Sequence, residues 1–303
     1  MTALRRSWLA NRVLTLAGIT MLAVLVATLV GLLVDPRVIT GTPAWLKPAK
    51  FAISIAIYSF SLVWLLGFVR GHRRIVSTIA WGTTLALGLE MVIIVWQVAR
   101  GTTSHFNTTT AFDEALWSTM GMLIVAVWVL NLATAVLLIG QRFPDPVFAW
   151  GLRLGVLISF VGMGLAFVMA NSGAHSVGVP DGGAGLPIVG WSTTGGDLRA
   201  SHFIGMHALQ LLPLAGWALS RPELLGRRRV GEGQRLALVW TVGLLYLGIV
   251  LVLFWQALRG ESIVAPGRET LSVLGGLLGM AAVAVGLSIM PAMGRRTVMQ
   301  TSR

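Results

Sequence analysis

Long apolar runs separated by short polar segments make up most of the chain. Eight of these runs are long enough to cross about 30 Å of hydrocarbon as a helix that rises about 1.5 Å per residue. They lie at residues 13–34, 51–69, 75–99, 115–140, 152–171, 202–220, 236–258 and 270–292. The pattern predicts an all-α membrane bundle of about eight transmembrane helices, without a separate soluble domain.

Composition supports the same fold class. Hydrophobic residues make up 55% of the 303 residues and charged residues 11%, whereas soluble domains carry about 25% charged residues. The chain contains no cysteine, which excludes disulfides, thiolate metal sites and iron–sulfur clusters. Any chemistry must therefore use the helical bundle and its short loops.

The net charge of +12 is explained by where the arginines lie. Most of the basic residues flank the amino terminus and every second connection between the predicted helices, as expected when these segments are cytoplasmic. We therefore predict both termini in the cytoplasm, the plasma membrane as the location and the lipid bilayer as the main partner. A nucleic-acid partner is not expected, because the positive charge is explained by the arginines of the predicted cytoplasmic segments.

Two short motifs occur twice in the same order. WQVARG at residues 96–101 recurs as WQALRG at 255–260, and LKPAKF at 46–51 is echoed by LRASHF at 198–203. Four predicted helices separate the paired motifs, which favours a parallel four-plus-four repeat with halves 1–145 and 146–303 and a site between them. The alternative is a chance match between short apolar segments.

Glu90 is the one acid predicted at mid-membrane depth. A carboxylate there is costly and is by default a functional hypothesis. Thr83, Glu90 and Gln97 are spaced by seven residues, so they form one stripe that we expect to face the bundle interior. Either Glu90 handles protons or binds a ligand, or it is a protonated acid that stabilises helix packing.

Four of the five histidines are predicted near the outer surface, close to the candidate catalytic acids Asp113 and Asp197. Histidine and carboxylate ligands suit zinc and similar divalent metals. The spacing of these histidines and acids along the sequence matches no metal-binding motif. A hydrogen-bonded network of histidines is the alternative. The candidate metal ligands are His105, His175, His202 and His207.

The sixth predicted helix holds two of these histidines. His207 and Gln210 are three residues apart and share a face, so Gln210 is a candidate ligand-binding residue. His202 and His207 are five apart and do not share a face, so a two-histidine site on this helix alone is excluded.

Cations at helix starts form a further candidate site. Lys47 and Lys50 precede the second predicted helix and Arg199 precedes the sixth, although helix dipoles favour anions at these ends. Either nearby acids neutralise them, or they bind an anionic small molecule or a lipid head group, with Gln97 as a further ligand-binding candidate.

Three segments, WLKPAKF, ARGTTSHFN and GGDLRASHFIGMHALQ, resemble those of an uncharacterised family of bacterial multi-pass membrane proteins. The resemblance implies a multi-pass helical fold across most of the chain. It implies no activity, cofactor or catalytic residue.

Several functions fit these residues. The leading hypothesis is a membrane enzyme with an outward-facing site, in which a divalent metal such as zinc activates water against a lipid or another amphiphile. A proton-coupled secondary transporter that uses Glu90 is the second. A haem-binding cytochrome with two axial histidines is the third, and a structural role is also open.

Overall fold

The computed structural model describes residues 3–221, 223 and 230–290. These residues fold almost entirely into α-helices, together with two short antiparallel strand pairs. The helices are α1 Ala3–Ala10, α2 Arg12–Val34, α3 Leu46–Leu66, α4 Arg73–Ala99, α5 Ala111–Gly140, α6 Pro146–Gly164, α7 Ala166–Ser172, α8 Leu198–Leu219, α9 Glu232–Leu258 and α10 Arg268–Ile289. The strands are β1 Val38–Ile39, paired with β2 Thr42–Pro43, and β3 Ser176–Val177, paired with β4 Gly196–Asp197.

Seven helical segments in the described part of the chain are long and apolar enough to cross a membrane. They are α2, α3, α4, α5, the continuous stretch of α6 and α7, α9 and α10. The multi-pass helical class predicted from the sequence is therefore confirmed. The eighth predicted span corresponds to α8, which has 22 residues but is less apolar because it carries Arg199 and two histidines, so a count of eight stays a prediction.

Five predicted helix starts are four to six residues too late. Helix α5 begins at Ala111 rather than at residue 115, and α9 begins at Glu232 rather than at 236. Helix α3 begins at Leu46 rather than at residue 51, and α8 begins at Leu198 rather than at 202. Helix α6 begins at Pro146 rather than at 152, because Asp145 caps it by accepting a hydrogen bond from the Phe148 backbone N–H at 2.9 Å. Residues 291–292 of the last predicted span, and the arginines at 227–229, 295, 296 and 303, lie outside the described residues.

Helix packing largely follows the order of the chain. Helix α2 packs on α3 and α4, α4 packs on α5, α5 packs on α6, α6 packs on α8 and α9, and α9 packs on α8 and α10. The α6–α8 pair is the closest-packed, since a Cβ atom on Gly162 would lie 2.6 Å from the Cα of Gly205, and one on Gly151 would lie 2.7 Å from the Cα of Gly216. Only glycine allows two backbones to approach this closely.

Large apolar side chains are exposed in the middle of several helices. Val92 on α4, Met122 on α5 and Val283 on α10 are examples. Exposed apolar surface on this scale is unusual for a protein in water and is expected for helices that face lipid. The bundle therefore has the surface of a protein that associates with a bilayer.

The two ends of the bundle differ in their connections. One end, here named the loop-rich end, is formed by segments 35–45, 100–110, 173–197 and 259–267 and carries both strand pairs. The other, named the short-loop end, includes the brief connections 67–72 and 141–145. The buried polar residues described next lie toward the loop-rich end.

Candidate functional site

The predicted polar stripe on α4 faces the interior of the bundle. The exposed fractions of Thr83, Glu90 and Gln97 are 1%, 1% and 0%, which confirms the prediction made from their spacing. Glu90 lies nine residues before the last residue of α4, which is at the loop-rich end. The Oε2 atom of its carboxylate has no hydrogen-bond partner among the described residues. A buried acid with an unused oxygen is a candidate proton-exchange or ligand-binding group.

His105 lies beside Glu90, although it comes from the loop between α4 and α5. Its Nε2 atom is 3.9 Å from Glu90 Oε1, which is within ion-pair distance but longer than a hydrogen bond. Its ring contacts those of Phe51 and Trp117, with centroids 5.3 Å and 5.4 Å away, and its Nδ1 lies 3.1 Å from Ser104 Oγ. Two helices and a loop thus hold the imidazole against the acid.

The surroundings of His105 favour its neutral form. Burial lowers the pKa of His105 well below 6.5, and the positive charges of Lys47 and of protonated His175 lower this pKa further. Burial also lowers the pKa of His175, where Arg199 acts in the same direction and Asp181 and Asp197 oppose it. Both imidazoles are therefore neutral at pH 7 and can accept a proton.

These lowered pKa values predict that the protein loses stability in mild acid. Since the unfolded chain binds a proton at His105 near pH 6.5 and the folded chain does not, the stabilisation is fully present above that pH and is lost as the pH falls below it. The free energy of unfolding is expected to fall by up to about 1.4 kcal/mol per pH unit for each histidine. Thermal unfolding in detergent between pH 7.5 and 5 measures this.

The matching control is the exposed histidine at the short-loop end, His72. His105→Asn is expected to reduce the acid sensitivity, whereas His72→Asn leaves it unchanged. An acid response that is the same in His105→Asn and in the unsubstituted protein would contradict the assignment to His105.

Lys47 is a cation at the loop-rich end that has no partner among the described residues. Its side chain is half-buried in the first turn of α3 and interacts electrostatically with Glu90, Lys50 and Arg199. Its ammonium group forms no hydrogen bond or ion pair with any residue that the structure describes. Lys50, one turn further, donates only to the carbonyl of Val189, at 3.5 Å.

Arg199, in contrast, is fully paired. Its guanidinium donates to both carboxylate oxygens of Asp197, at 2.9 Å and 2.7 Å, and to the carbonyl of Gly190. His175 Nδ1 lies 3.2 Å from Asp181 Oδ1 and 3.9 Å from Asp197 Oδ2. The glycine-rich segment 173–197 therefore supplies the partners of both Arg199 and His175.

Asp113, predicted as catalytic, has a complete set of partners. Gln97 Nε2 donates to its Oδ1 at 2.8 Å, and Arg100 donates to the same oxygen at 2.5 Å. Thr110 donates to the other oxygen at 2.6 Å and caps α5 by accepting from the Asp113 backbone N–H. This network ties α4 to α5 and accounts for the burial of Gln97 and Asp113.

The two histidines on α8 are held away from Glu90 by other contacts. His202 Nδ1 lies 2.8 Å from the carbonyl of Gly162, at the close crossing of α6 and α8. His207 is exposed, and its Nδ1 lies 3.4 Å from Gln210 Oε1. Gln210 in turn donates to Ser61 of α3 at 2.9 Å, so Gln210 links two helices.

The described residues contain no group of three histidines or acids that could hold a metal ion. Of the four predicted metal ligands, His105 and His175 are close enough for the charge of His175 to act on His105. The four-histidine metal site stays a prediction without support from this arrangement. Sequence reasoning missed the aromatic contacts of His105, because Phe51 and Trp117 carry no sequence feature that separates them from ordinary packing residues.

The duplicated motifs adopt matching conformations. Arg100 follows the last residue of α4 and Arg259 follows that of α9, and each is followed by a glycine with positive φ, 76° at Gly101 and 74° at Gly260. Each arginine pairs with an acid of the next helix, Asp113 in α5 and Glu269 in α10. LKPAKF and LRASHF also match, since each begins with the first residue of its helix.

Comparisons with known proteins do not identify the chain. No protein-family model matches it, so the resemblance of its three motifs to an uncharacterised membrane-protein family gains no support. Neither the curated proteins nor the solved structures give a match.

Proposed function

We propose that this protein binds an anionic group, a carboxylate or a phosphate, at its loop-rich end. The observation that carries the proposal is the half-buried Lys47 ammonium, which has no hydrogen bond or ion pair to a described residue. A charge held away from water is costly unless it is paired. An anion of a ligand supplies the missing partner.

Charge balance around the site supports an anion rather than a cation. The guanidinium of Arg199 is neutralised by Asp197, whereas Lys47 and Lys50 have no acid within ion-pair distance in the described structure. Both lysines lie near the start of α3, where the helix dipole adds positive potential. The neutral imidazole of His105 adds a donor or acceptor without changing the charge.

Binding is expected to strengthen as the pH falls from 8 to about 6. A bound anion near His105 stabilises the imidazolium, so the pKa of His105 is higher in the complex than in the free protein, and binding takes up a proton. The measurement is the dissociation constant of an alkyl sulfate between pH 8 and 6. An alkyl sulfate is the anion of a strong acid, so the ligand itself does not titrate in that range. An affinity that rises by the same factor in His105→Asn would exclude His105 as the group that takes up the proton.

The proposal is tested by titrating purified full-length protein in detergent with four anions. Acetate and inorganic phosphate represent free anions; decanoate and a short-chain phosphatidylglycerol represent amphiphiles. Binding is followed by the shift in thermal unfolding and by tryptophan fluorescence, since Trp117 contacts His105. Lys47→Gln is expected to weaken binding about tenfold to hundredfold, the effect of removing a charge-assisted hydrogen bond.

The matched control is Arg268→Gln, which removes an exposed positive charge at the same end. It is expected to change affinity less than twofold. Equal effects of the two substitutions would show that general surface charge attracts the anion. A failure of all four anions to bind would overturn the proposal for both chemical classes.

A proton-coupled carrier is the second candidate function, and the unpaired Oε2 of Glu90 favours it. The carboxylate lies inside the bundle, 3.9 Å from a neutral histidine, so a proton can pass between them with a small rearrangement. In vesicles with an internal pH dye, Glu90→Gln is expected to abolish a pH change driven by an anion gradient. Glu114→Gln, an exposed acid at the same end, is expected to retain it.

The membrane arrangement predicted from the sequence belongs to the same proposal. With α8 as an eighth span, both termini lie in the cytoplasm of a plasma-membrane protein, the loop-rich end faces outward, and two four-helix halves run in the same direction. The matching ends of α4 and α9 and the matching starts of α3 and α8 support the repeat. A cysteine introduced at Thr108 in the exposed loop should react with an impermeant maleimide in whole cells.

A further inference from the structure

We infer that the short-loop end carries a second site, which binds the head group of an anionic phospholipid. The site is an open cleft of about 470 Å³ at the starts of α2 and α4 and the end of α3. It lies at the opposite end of these helices from Lys47 and Glu90 and is independent of the proposed anion site. Its lining includes Asn11, Arg12, Leu66, Arg73, Val76 and Trp81.

The charged residues that line the cleft are two arginines without an acidic partner among the described residues. Arg12 and Arg73 are exposed, and neither forms a hydrogen bond or an ion pair with any residue in the described ranges. The Arg12 guanidinium lies over the Trp8 ring, 5.9 Å from its centroid. None of the described residues that line the cleft is an acid, so its charge is complementary to a phosphate.

The apolar part of the cleft selects a lipid over a free anion. From Arg73 the lining continues along α4 through Val76 and Ala80 to Trp81, which is 53% exposed. A phosphate held by the arginines therefore leaves room for an acyl chain against this apolar strip. The volume is also within the roughly 300 to 1000 Å³ of small-molecule sites.

The short helix α1 places the cleft at the level of lipid head groups. Leu4, Trp8 and Leu9 of α1 are exposed, and the helix ends at Ala10, which lines the cleft. Tryptophan and apolar residues on a short basic helix favour the membrane interface. Helix α1 and the cleft therefore belong to one interfacial surface.

The test uses purified full-length protein in micelles that contain equal amounts of phosphatidylglycerol and phosphatidylcholine. The lipid that stays with the protein through gel filtration is quantified by mass spectrometry. We expect phosphatidylglycerol to be retained in preference to phosphatidylcholine. In R12Q/R73Q the ratio of the two lipids is expected to fall about 25-fold, because each interfacial arginine contributes about fivefold.

The control R74Q/R142Q removes the same charge from exposed arginines at the same end that do not line the cleft, and it should change the ratio less than twofold. Ser77→Trp fills the cleft without changing the charge and should also reduce retention. Equal losses in the two double variants would overturn the inference, as would unselective retention. Displacement of the lipid by millimolar inorganic phosphate would show recognition of free phosphate and overturn the lipid assignment.

Discussion

Gly162→Val is expected to prevent α6 and α8 from packing and to remove about 4 kcal/mol or more of stability. A Cβ atom at Gly162 would lie 2.6 Å from the Cα and 2.7 Å from the backbone nitrogen of the two residues that face it, Gly205 and Met206. Backbone atoms cannot rotate away as a side chain does, so the helices must separate. The same shift removes the 2.8 Å contact between His202 and the Gly162 carbonyl.

The measurement is the free energy of unfolding in mixed micelles titrated with SDS, together with the yield of monodisperse protein. The matched control is Gly279→Val on α10, where an added Cβ meets nothing within 4 Å. Both substitutions put a β-branched residue in a membrane helix, so their difference isolates the crossing of α6 and α8. A Gly162 variant as stable as the Gly279 variant would contradict this close packing.

The helices could be predicted from the sequence because bilayer thickness fixes the length of the apolar runs. Their starts could not be placed as well, since first turns carry polar residues. Lys47 and Lys50 interrupt the apolar pattern although they are helical in α3. Asp145 followed by Pro146 is an N-cap signal for the start of α6, and the apolar run alone missed it by starting this helix at residue 152.

The candidate site was only partly predictable. The spacing of Glu90 and Gln97 placed both in the interior, because helical periodicity is a local property. Whether an acid is free or paired depends on loops that have no periodicity. Asp113 and Asp197 looked alike as loop-end acids, yet each is engaged by an arginine.

The sequence also could not show that Lys47 lacks a partner. Lys47, Lys50 and Arg199 were grouped because all three occur at helix starts, and the structure separates them by their partners. Arg199 has a carboxylate two residues before it, which a sequence can show. The lack of a partner for Lys47 follows from the positions of α4 and the segment 173–197, which only the folded chain defines.

Asp113→Ala is expected to destabilise the protein by about 3 kcal/mol, the lower part of the range for removing one partner of a buried ion pair. The substitution leaves buried Gln97 Nε2 without its acceptor and leaves Arg100 without its acid. It also removes the acceptor of Thr110 at the start of α5. The Arg100 side chain is one-third exposed, so water offsets part of the loss.

Three variants separate this structural role from the catalytic role first assigned to Asp113. Asp113→Asn keeps the shape and loses the charge, so we expect an intermediate loss of stability; exposed Glu114→Ala should stay within about 0.5 kcal/mol. Unfolding in SDS and anion binding are measured on the same samples. If Asp113→Asn keeps full stability but abolishes anion binding or transport, Asp113 belongs to the functional site. If binding falls only as far as stability does, its task is to join α4 to α5 and hold the loop that carries His105 against Glu90.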